Sequence, residues 1–107
     1  MKIPNRGEIW IISLDPAKGS EIKKTRPCLI VSRDAYNRVA STVTIIPLSS
    51  GEVLCPAWQV SIGKETGLSV NSHLVLPQIR VAAKERLQKC IGQISQKSWF
   101  EIQEKLF

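Results

Sequence analysis

The stretch Pro27-Cys28-Leu29-Ile30-Val31-Ser32 predicts the central strand of the fold. Its continuous apolar run is typical of a strand that is covered on both faces. The segment before it, Glu8-Ile9-Trp10-Ile11-Ile12-Ser13-Leu14, is rich in β-branched and aromatic residues and is followed by the turn signal Asp15-Pro16. The sequence therefore predicts two strands, joined by a polar, glycine-containing loop from Ala17 to Thr25.

More strands are predicted after this pair. Between Ser41 and Leu48, valine and isoleucine alternate with threonine, and the segment from Trp58 to Ile62 alternates in the same way. The segments His73-Leu74-Val75-Leu76 and Cys90-Ile91-Gly92-Gln93-Ile94 bring the set to about six strands.

The C-terminal segment predicts a helix instead. Ser95 can cap it, and Trp99, Ile102 and Leu106 recur at i, i+3 and i+7, with Phe100 and Phe107 beside that stripe. The fold class is therefore mainly β with a C-terminal helix, arranged as a small, strongly curved sheet or partly open barrel. We expect residues 1–107 to form one domain, since no repeat or linker divides the chain.

The charge balance is basic, with 15 Lys and Arg against 9 Asp and Glu, a net charge of +6. The basic excess lies on both sides of a centre, residues 41–63, whose one charged residue is Glu52. Such a surface suits a polyanionic partner. The apolar runs are far shorter than the roughly 20 residues of a spanning helix, and no signal peptide is visible, so we expect no membrane partner.

The cysteines Cys28, Cys55 and Cys90 are odd in number and widely spaced. This pattern favours reduced thiols in a cytoplasmic protein over disulfides or a zinc site, and we expect all three to be buried. The scattered acids Glu8, Asp15 and Glu21 form no metal motif, so no cofactor is predicted.

Familiar catalytic sets are absent, because the chain has a single histidine and no nucleotide-binding glycine pattern. We interpret that histidine, His73, as structural. The loop before the central strand is more informative: Lys23, Lys24 and Arg26 would attract phosphate, and Gly19 lets backbone donors approach a ligand. A solvated lysine loop is the alternative interpretation.

Arg26 differs from the loop lysines because it directly precedes Pro27 at the start of the central strand, where its guanidinium would be held in a fixed orientation. An ordinary salt bridge to Glu8, Glu21 or Asp34 is the alternative. A second candidate is Pro47-Leu48-Ser49-Ser50-Gly51, whose hydroxyls at a strand end otherwise serve only to cap local backbone.

The sequence resembles the MazF/PemK family of type II toxin–antitoxin endoribonucleases. The resembling blocks occur in family order over most of the chain. They are Arg6-Gly7-Glu8-Ile9-Trp10, Asp15-Pro16 followed by Gly19-Ser20-Glu21, Arg26-Pro27, Pro47-Leu48-Ser49-Ser50, Leu76-Pro77-Gln78-Ile79-Arg80 and Arg86-Leu87.

The resemblance implies a small SH3-like barrel of the MazF/PemK and CcdB-like kind. It also implies a homodimer that cleaves single-stranded RNA, such as mRNA, at short sequences without a metal, and so inhibits growth. The expected protein partner is a cognate antitoxin, which would lay an acidic, flexible segment across the basic groove.

The family's catalytic arginine falls on Arg26, and its strand-end hydroxyl falls on Ser49, where the family more often has threonine. Ser50 is the substitute if the register slips by one residue, and Glu21 matches an acidic position with a supporting role. Gln78 and Arg80 match a segment near the RNA groove. The full set of expected RNA-binding residues is Gly19, Ser20, Lys23, Lys24, Thr25, Ser50, Gln78 and Arg80.

The chemistry fits these residue types, because an arginine fork matches the charge that grows on a phosphate under attack by the ribose 2′-hydroxyl. Neither arginine nor serine is a comfortable base, so the general base stays open, with Glu21 the conventional choice. Two other functions remain: a gyrase-binding toxin of the same barrel, and a non-catalytic nucleic-acid-binding barrel. The second has little support, since Trp10 and Trp58 are predicted in the core, which leaves Tyr36 as the best stacking residue.

Overall fold

A computed structural model of the chain describes residues 3–14, 25–50, 56–63, 68 and 71–106. Within these ranges the backbone is mainly antiparallel β-structure with two helices. The strands are β1 (Glu8–Ser13), β2 (Thr25–Ile30), β3 (Thr42–Ser50), β4 (Gln59–Ile62), β5 (Ser72–Val75), β6 (Arg80–Ala83) and β7 (Leu87–Gln93). The helices are α1 (Asp34–Val39) and α2 (Gln96–Leu106), and the short segments Leu76–Gln78 and Lys84–Arg86 are 3₁₀ turns.

The described strands form one sheet in the order β4-β5-β3-β2-β1-β7. Strand β3 connects the parts of this sheet. Its residues 42–45 pair with β6 and its residues 48–50 pair with β5. Strand β2 pairs with residues 45–47 of β3. Long strands that change partners along their length are typical of strongly curved sheets. The architecture agrees with the mainly β class, with the C-terminal helix in place.

Side chains of the sheet pack into two apolar clusters on opposite faces, as alternation along each strand requires. On one face Ile9, Leu29, Leu48 and Leu74 pack with Ile102 of α2. On the other face lie Trp10, Ile12, Cys28, Ile30, Val43 and Ile45. The central run of β2 contributes to both clusters, which confirms that it is covered on both faces.

Two local features tie the edges of the fold together. Gly7 has φ +90°, a conformation that glycine adopts without strain, and its N–H donates to Ile30 O while its carbonyl accepts from Ile94 N–H. Asn37 of α1 is fully buried and donates its amide to the carbonyls of Pro4 and Ser32. These contacts attach the N-terminal segment and α1 to the sheet.

The structure corrects several sequence-based expectations. Trp58 precedes β4 and is 48% exposed, so its prediction as a core residue was wrong. Cys90 is exposed, whereas Cys28 is buried as expected, and Cys55 lies outside the described residues. Helix α1 and the short strand β6 were not predicted.

The C-terminal helix was predicted correctly. Ser95 Oγ accepts from Ser98 N–H at 3.1 Å, which is the expected cap. Ile102 is buried, with Trp99 and Leu106 packed beside it, while Phe100 is 66% exposed; Phe107 lies outside the described residues. No helix in the described part of the chain is long and apolar enough to span a membrane.

Candidate active site

Arg26 and Ser49 meet across the neighbouring strands β2 and β3. The register pairs Cys28 with Pro47, and continuing it by two residues places Arg26 opposite Ser49. Arg26 Nη1 lies 3.4 Å from Ser49 Oγ and donates a long hydrogen bond to it. The two candidates from separate sequence blocks are therefore direct neighbours in space.

These two residues line a cavity of about 490 Å³. The other lining residues are Leu14, Pro47, Gln78 and Arg80. Gln78 ends a 3₁₀ turn and Arg80 begins β6, so the segment after β5 forms the wall that faces β2 and β3. The cavity thus gathers four predicted site residues, with two guanidinium groups among them.

The positive field of the cavity reaches the buried thiol behind it. Burial raises the pKa of Cys28 from 9.0 to about 12, while the charges of Arg26 and Arg80 act in the opposite direction. Both arginines therefore lie close enough to one sulfur atom to act on it. The thiol stays protonated near neutral pH and donates weakly to Arg26 O, with a sulfur–oxygen distance of 3.6 Å.

Two of the three carboxylates offered as alternative partners for Arg26 have other partners, and the third, Glu21, lies outside the described residues. Glu8 Oε1 accepts from the Trp10 indole and from Asn5 N–H, and Asp34 Oδ1 accepts from Arg6 N–H. In the described ranges no ion pair involves Arg26. As far as the described residues are concerned, its guanidinium is therefore available to an anion in the cavity.

Other predicted site residues fall at different places. Thr25 is exposed at the start of β2, opposite Ser13. Ser50 is exposed, and strand alternation directs it to the face opposite Ser49. The predicted loop residues Gly19, Ser20, Glu21, Lys23 and Lys24 lie outside the described residues.

Sequence reasoning missed two contributions to this end of the sheet. Arg86 Nη1 donates to Ser13 O at 3.2 Å, which fixes the end of β1 beside Thr25. His73 on β5 is the register partner of Ser49 and is 5% exposed. Arg86 belongs to the family-like block Arg86-Leu87, so the sequence held a signal for it. Nothing in the sequence placed His73 beside Ser49.

A second cavity, of about 310 Å³, lies where α2 begins. Its wall includes Arg6, whose guanidinium carbon lies 5.0 Å from the centroid of the Trp99 ring. Arg6 Nε already donates to Val31 O, so this arginine has a packing role between the N-terminal segment and α2. The described residues contain no group of three or more His, Cys, Asp or Glu side chains that could hold a metal ion.

A family profile described as "PemK-like, MazF-like toxin of type II toxin-antitoxin system" matches residues 5–107. The chain belongs to this toxin family. That family was the one suggested by the ordered sequence blocks, so the resemblance is confirmed.

Two curated relatives cover most of the chain. The endoribonuclease MazF9 of Mycobacterium tuberculosis is 37% identical over 107 aligned residues, covering 94% of this chain and 91% of the relative. The endoribonuclease MazF of Staphylococcus epidermidis is 28% identical and covers 94% and 86% of the two chains.

Solved structures show the same fold. A MazE–MazF structure from Deinococcus radiodurans superposes with a TM-score of 0.85 at 22% identity, covering 99% of this chain and 94% of that one. A mycobacterial endoribonuclease in complex with its cognate antitoxin gives 0.80 at 23% identity, with coverages of 96% and 90%. The strongly curved sheet with a terminal helix is thus the fold of MazF toxins.

Proposed function

We propose that this toxin-family protein is an endoribonuclease that cleaves single-stranded RNA at short sequences without a metal, and that Arg26 and Ser49 carry the reaction. The observation that supports this most directly is the Arg26–Ser49 contact, 3.4 Å long, inside a cavity that also holds Arg80. The activity class is the one that the names of both curated relatives state.

The proposed reaction begins with attack of the ribose 2′-oxygen on the adjacent phosphorus, as the 2′-hydroxyl gives up its proton to a general base. The new bond closes a 2′,3′-cyclic phosphate, the bond to the 5′-oxygen breaks, and the 5′-oxygen takes up a proton. Negative charge grows on the phosphoryl oxygens as this happens. The Arg26 fork is suited to bind that charge, because preorganised donors are worth most where charge develops in the transition state.

Ser49 is a better candidate than Ser50 for the catalytic hydroxyl. Ser49 lines the cavity and touches Arg26, whereas Ser50 is exposed on the other face of β3. Ser50 is accordingly proposed only as a residue that RNA contacts outside the cavity. Gln78 and Arg80 are proposed to bind RNA inside it, and Thr25 at its margin. From the sequence alone, Gly19, Ser20, Lys23 and Lys24 are proposed to bind RNA, and Glu21 is proposed to support the reaction.

We also propose a cognate antitoxin and a homodimer as the assembly. The mycobacterial endoribonuclease of this fold was solved in complex with its cognate antitoxin, and the Deinococcus structure contains MazE and MazF. An acidic antitoxin segment would compete with RNA for the arginines of the cavity. Ile79, just before β6, is 40% exposed, and Val81 on β6 is 59% exposed. Together they form an apolar surface that a second copy of the chain would cover.

The function is tested by digesting a defined RNA in EDTA and mapping the new ends by sequencing. We expect cutting in EDTA, and we expect that replacing the 2′-hydroxyl of the scissile nucleotide by hydrogen abolishes it. The gyrase-binding alternative predicts no cutting of either RNA together with inhibition of DNA supercoiling by gyrase.

Arg26→Ala should lower kcat by about 10²–10³-fold, the usual cost of removing a donor to a developing oxyanion. Arg38→Ala is the matched control, because Arg38 is an exposed arginine on α1. Ser49→Ala should likewise lower kcat more than Ser50→Ala does. An Arg26→Ala protein that remains folded and cuts at the wild-type rate would remove Arg26 from the mechanism.

A further inference from the structure

The imidazole of His73 is buried with one unpaired nitrogen. Its side chain lies on β5, the residue is 5% exposed, and Nδ1 has no hydrogen-bond partner in the described part of the chain. Buried polar atoms are almost always paired, because leaving one unpaired costs stability. An unpaired nitrogen at a strand centre therefore calls for a functional explanation.

His73 continues the Arg26–Ser49 pair onto a third strand. Antiparallel register pairs Ser49 with His73, so both side chains leave the sheet on the same face, with Cβ atoms roughly 5 Å apart. On its other side His73 pairs with Ser61 of β4. The residues Arg26, Ser49 and His73 form one cross-strand row, which we call the catalytic row.

The hydrogen-bonding capacity of Ser49 fits a role between its two neighbours. Its Oγ already accepts from Arg26 Nη1. A hydroxyl accepts through its lone pairs and donates one proton, so the Ser49 proton remains free to be given to a third group. Ser49 Oγ does not hydrogen-bond to His73 in this structure, and a change of the Ser49 χ1 rotamer would carry Oγ toward β5, where His73 Nδ1 is an unpaired acceptor when the ring carries its proton on Nε2.

We propose that His73 is the positioning residue that accepts a proton through Ser49 during RNA cleavage, an inference that rests on the proposed ribonuclease function. The 2′-hydroxyl gives its proton to Ser49 Oγ as Ser49 gives its own proton to His73 Nδ1. The 2′-oxygen attacks phosphorus, the 5′-oxygen leaves and takes a proton from water, and His73 later releases its proton to solvent. Charge and atoms balance, because the hydroxide left by that water takes up the proton that His73 releases.

The surroundings of His73 support this assignment. The neighbouring strands β3 and β4 carry no charged side chain, and the groups that face His73 from them are Ser49 and Ser61. Among the described residues the first charged group along the row is Arg26, on the far side of Ser49. His73 is therefore the proton acceptor that the row itself provides, since imidazole is the side chain that exchanges protons near neutral pH.

The test uses the single histidine of the chain, which gives one imidazole signal in the NMR spectrum of a tag-free protein. The kcat/KM for an RNA oligonucleotide carrying the mapped cleavage site is measured from pH 5 to 9. Because kcat/KM reports groups of the free enzyme, its rising limb should have the same midpoint as the NMR titration of His73. A rising limb whose midpoint differs from the NMR midpoint overturns the proposal.

Variants of His73 distinguish the proposed proton transfer through Ser49 from a purely structural role of the histidine. His73→Leu should lower kcat by about 10²-fold and remove the rising limb, while the Kd for a non-cleavable 2′-deoxy oligonucleotide stays within about twofold of wild type. His73→Asn restores a polar atom near the Nδ1 position but accepts no proton, so it should be as slow as His73→Leu. Recovery of activity in His73→Asn would show that His73 has a structural role and would overturn the proposed proton transfer.

Ser61→Ala is the matched serine control, because it removes the other hydroxyl beside His73 without touching Arg26 or Ser49. We expect it to keep the wild-type kcat and pH profile, whereas Ser49→Ala should lose the rising limb. A wild-type protein that cuts RNA in an Arg26-dependent way while both His73 variants keep full activity overturns this inference and leaves the proposed function standing. Absence of cutting by the wild-type protein overturns both.

Discussion

At the scale of single residues, the candidate site is formed by side chains that are far apart in the sequence and in contact in the structure. Arg26 and Ser49 are 23 residues apart, and no periodicity relates them. Their link could be proposed from the sequence only through the resemblance to a family, since cross-strand register is set by the complete sheet. The structure supplies that register and places His73, which the sequence alone led us to interpret as structural, opposite Ser49.

The buried thiol of Cys28 gives a prediction about pH. Its pKa is raised by burial to about 12, above the value of 9.0 expected for an exposed thiol. A raised pKa means that the folded state holds the proton more tightly than the unfolded state, so the stabilisation is complete below pH 9 and is lost as pH rises toward 12. Alkaline conditions should therefore destabilise the wild-type protein more than a variant without this thiol.

Cys28→Ala tests this without disturbing the sheet hydrogen bonds. Its deficit in free energy of unfolding relative to wild type should shrink by about 1 kcal/mol between pH 7.5 and pH 10, measured by urea titration under reducing conditions. Cys90→Ala is the control, because Cys90 is exposed, and its difference from wild type should be nearly constant with pH. A constant deficit for Cys28→Ala would show that this thiol ionises equally in both states.

At the scale of elements, the strongly patterned segments were predictable and the short ones were not. Strand β2 was recognisable because both of its faces are buried, and α2 because its apolar residues recur on one side. Helix α1 spans only six residues and is held by Asn37, whose amide reaches Pro4 O from 33 residues away. A contact of that range leaves no local pattern, so a polar segment read alone is typical of a loop.

The attachment of helix α2 to the sheet should depend most on its one fully buried side chain, Ile102. Ile102 is completely buried among Leu48, Leu74 and neighbouring residues of the sheet. Ile102→Ala should lower the free energy of unfolding by about 2–5 kcal/mol, because it removes buried methyl groups and leaves a cavity. Phe100→Ala on the same helix removes a larger side chain that is 66% exposed, and its effect should be within about 0.5 kcal/mol. If urea titrations gave equal losses of unfolding free energy for the two variants, Ile102 would not be the side chain by which α2 packs on the sheet.

At the scale of the whole molecule, net charge and charge position make different predictions. The chain carries +6, and a general basic surface would bind RNA through that total. The structure instead concentrates Arg26 and Arg80 in one cavity, on the face of the sheet opposite α2. Removing one positive charge should therefore have an effect that depends on where the charge lies.

The comparison is Arg80→Gln against Lys97→Gln, which both change the net charge from +6 to +5. Lys97 is exposed on α2, away from the cavity. For a non-cleavable 2′-deoxy oligonucleotide, the slope of log K against log salt should fall in magnitude by about 0.7 in Arg80→Gln, the loss of one phosphate contact, and should not change in Lys97→Gln. Equal reductions in both variants would mean that the total charge attracts RNA and that Arg80 holds no phosphate.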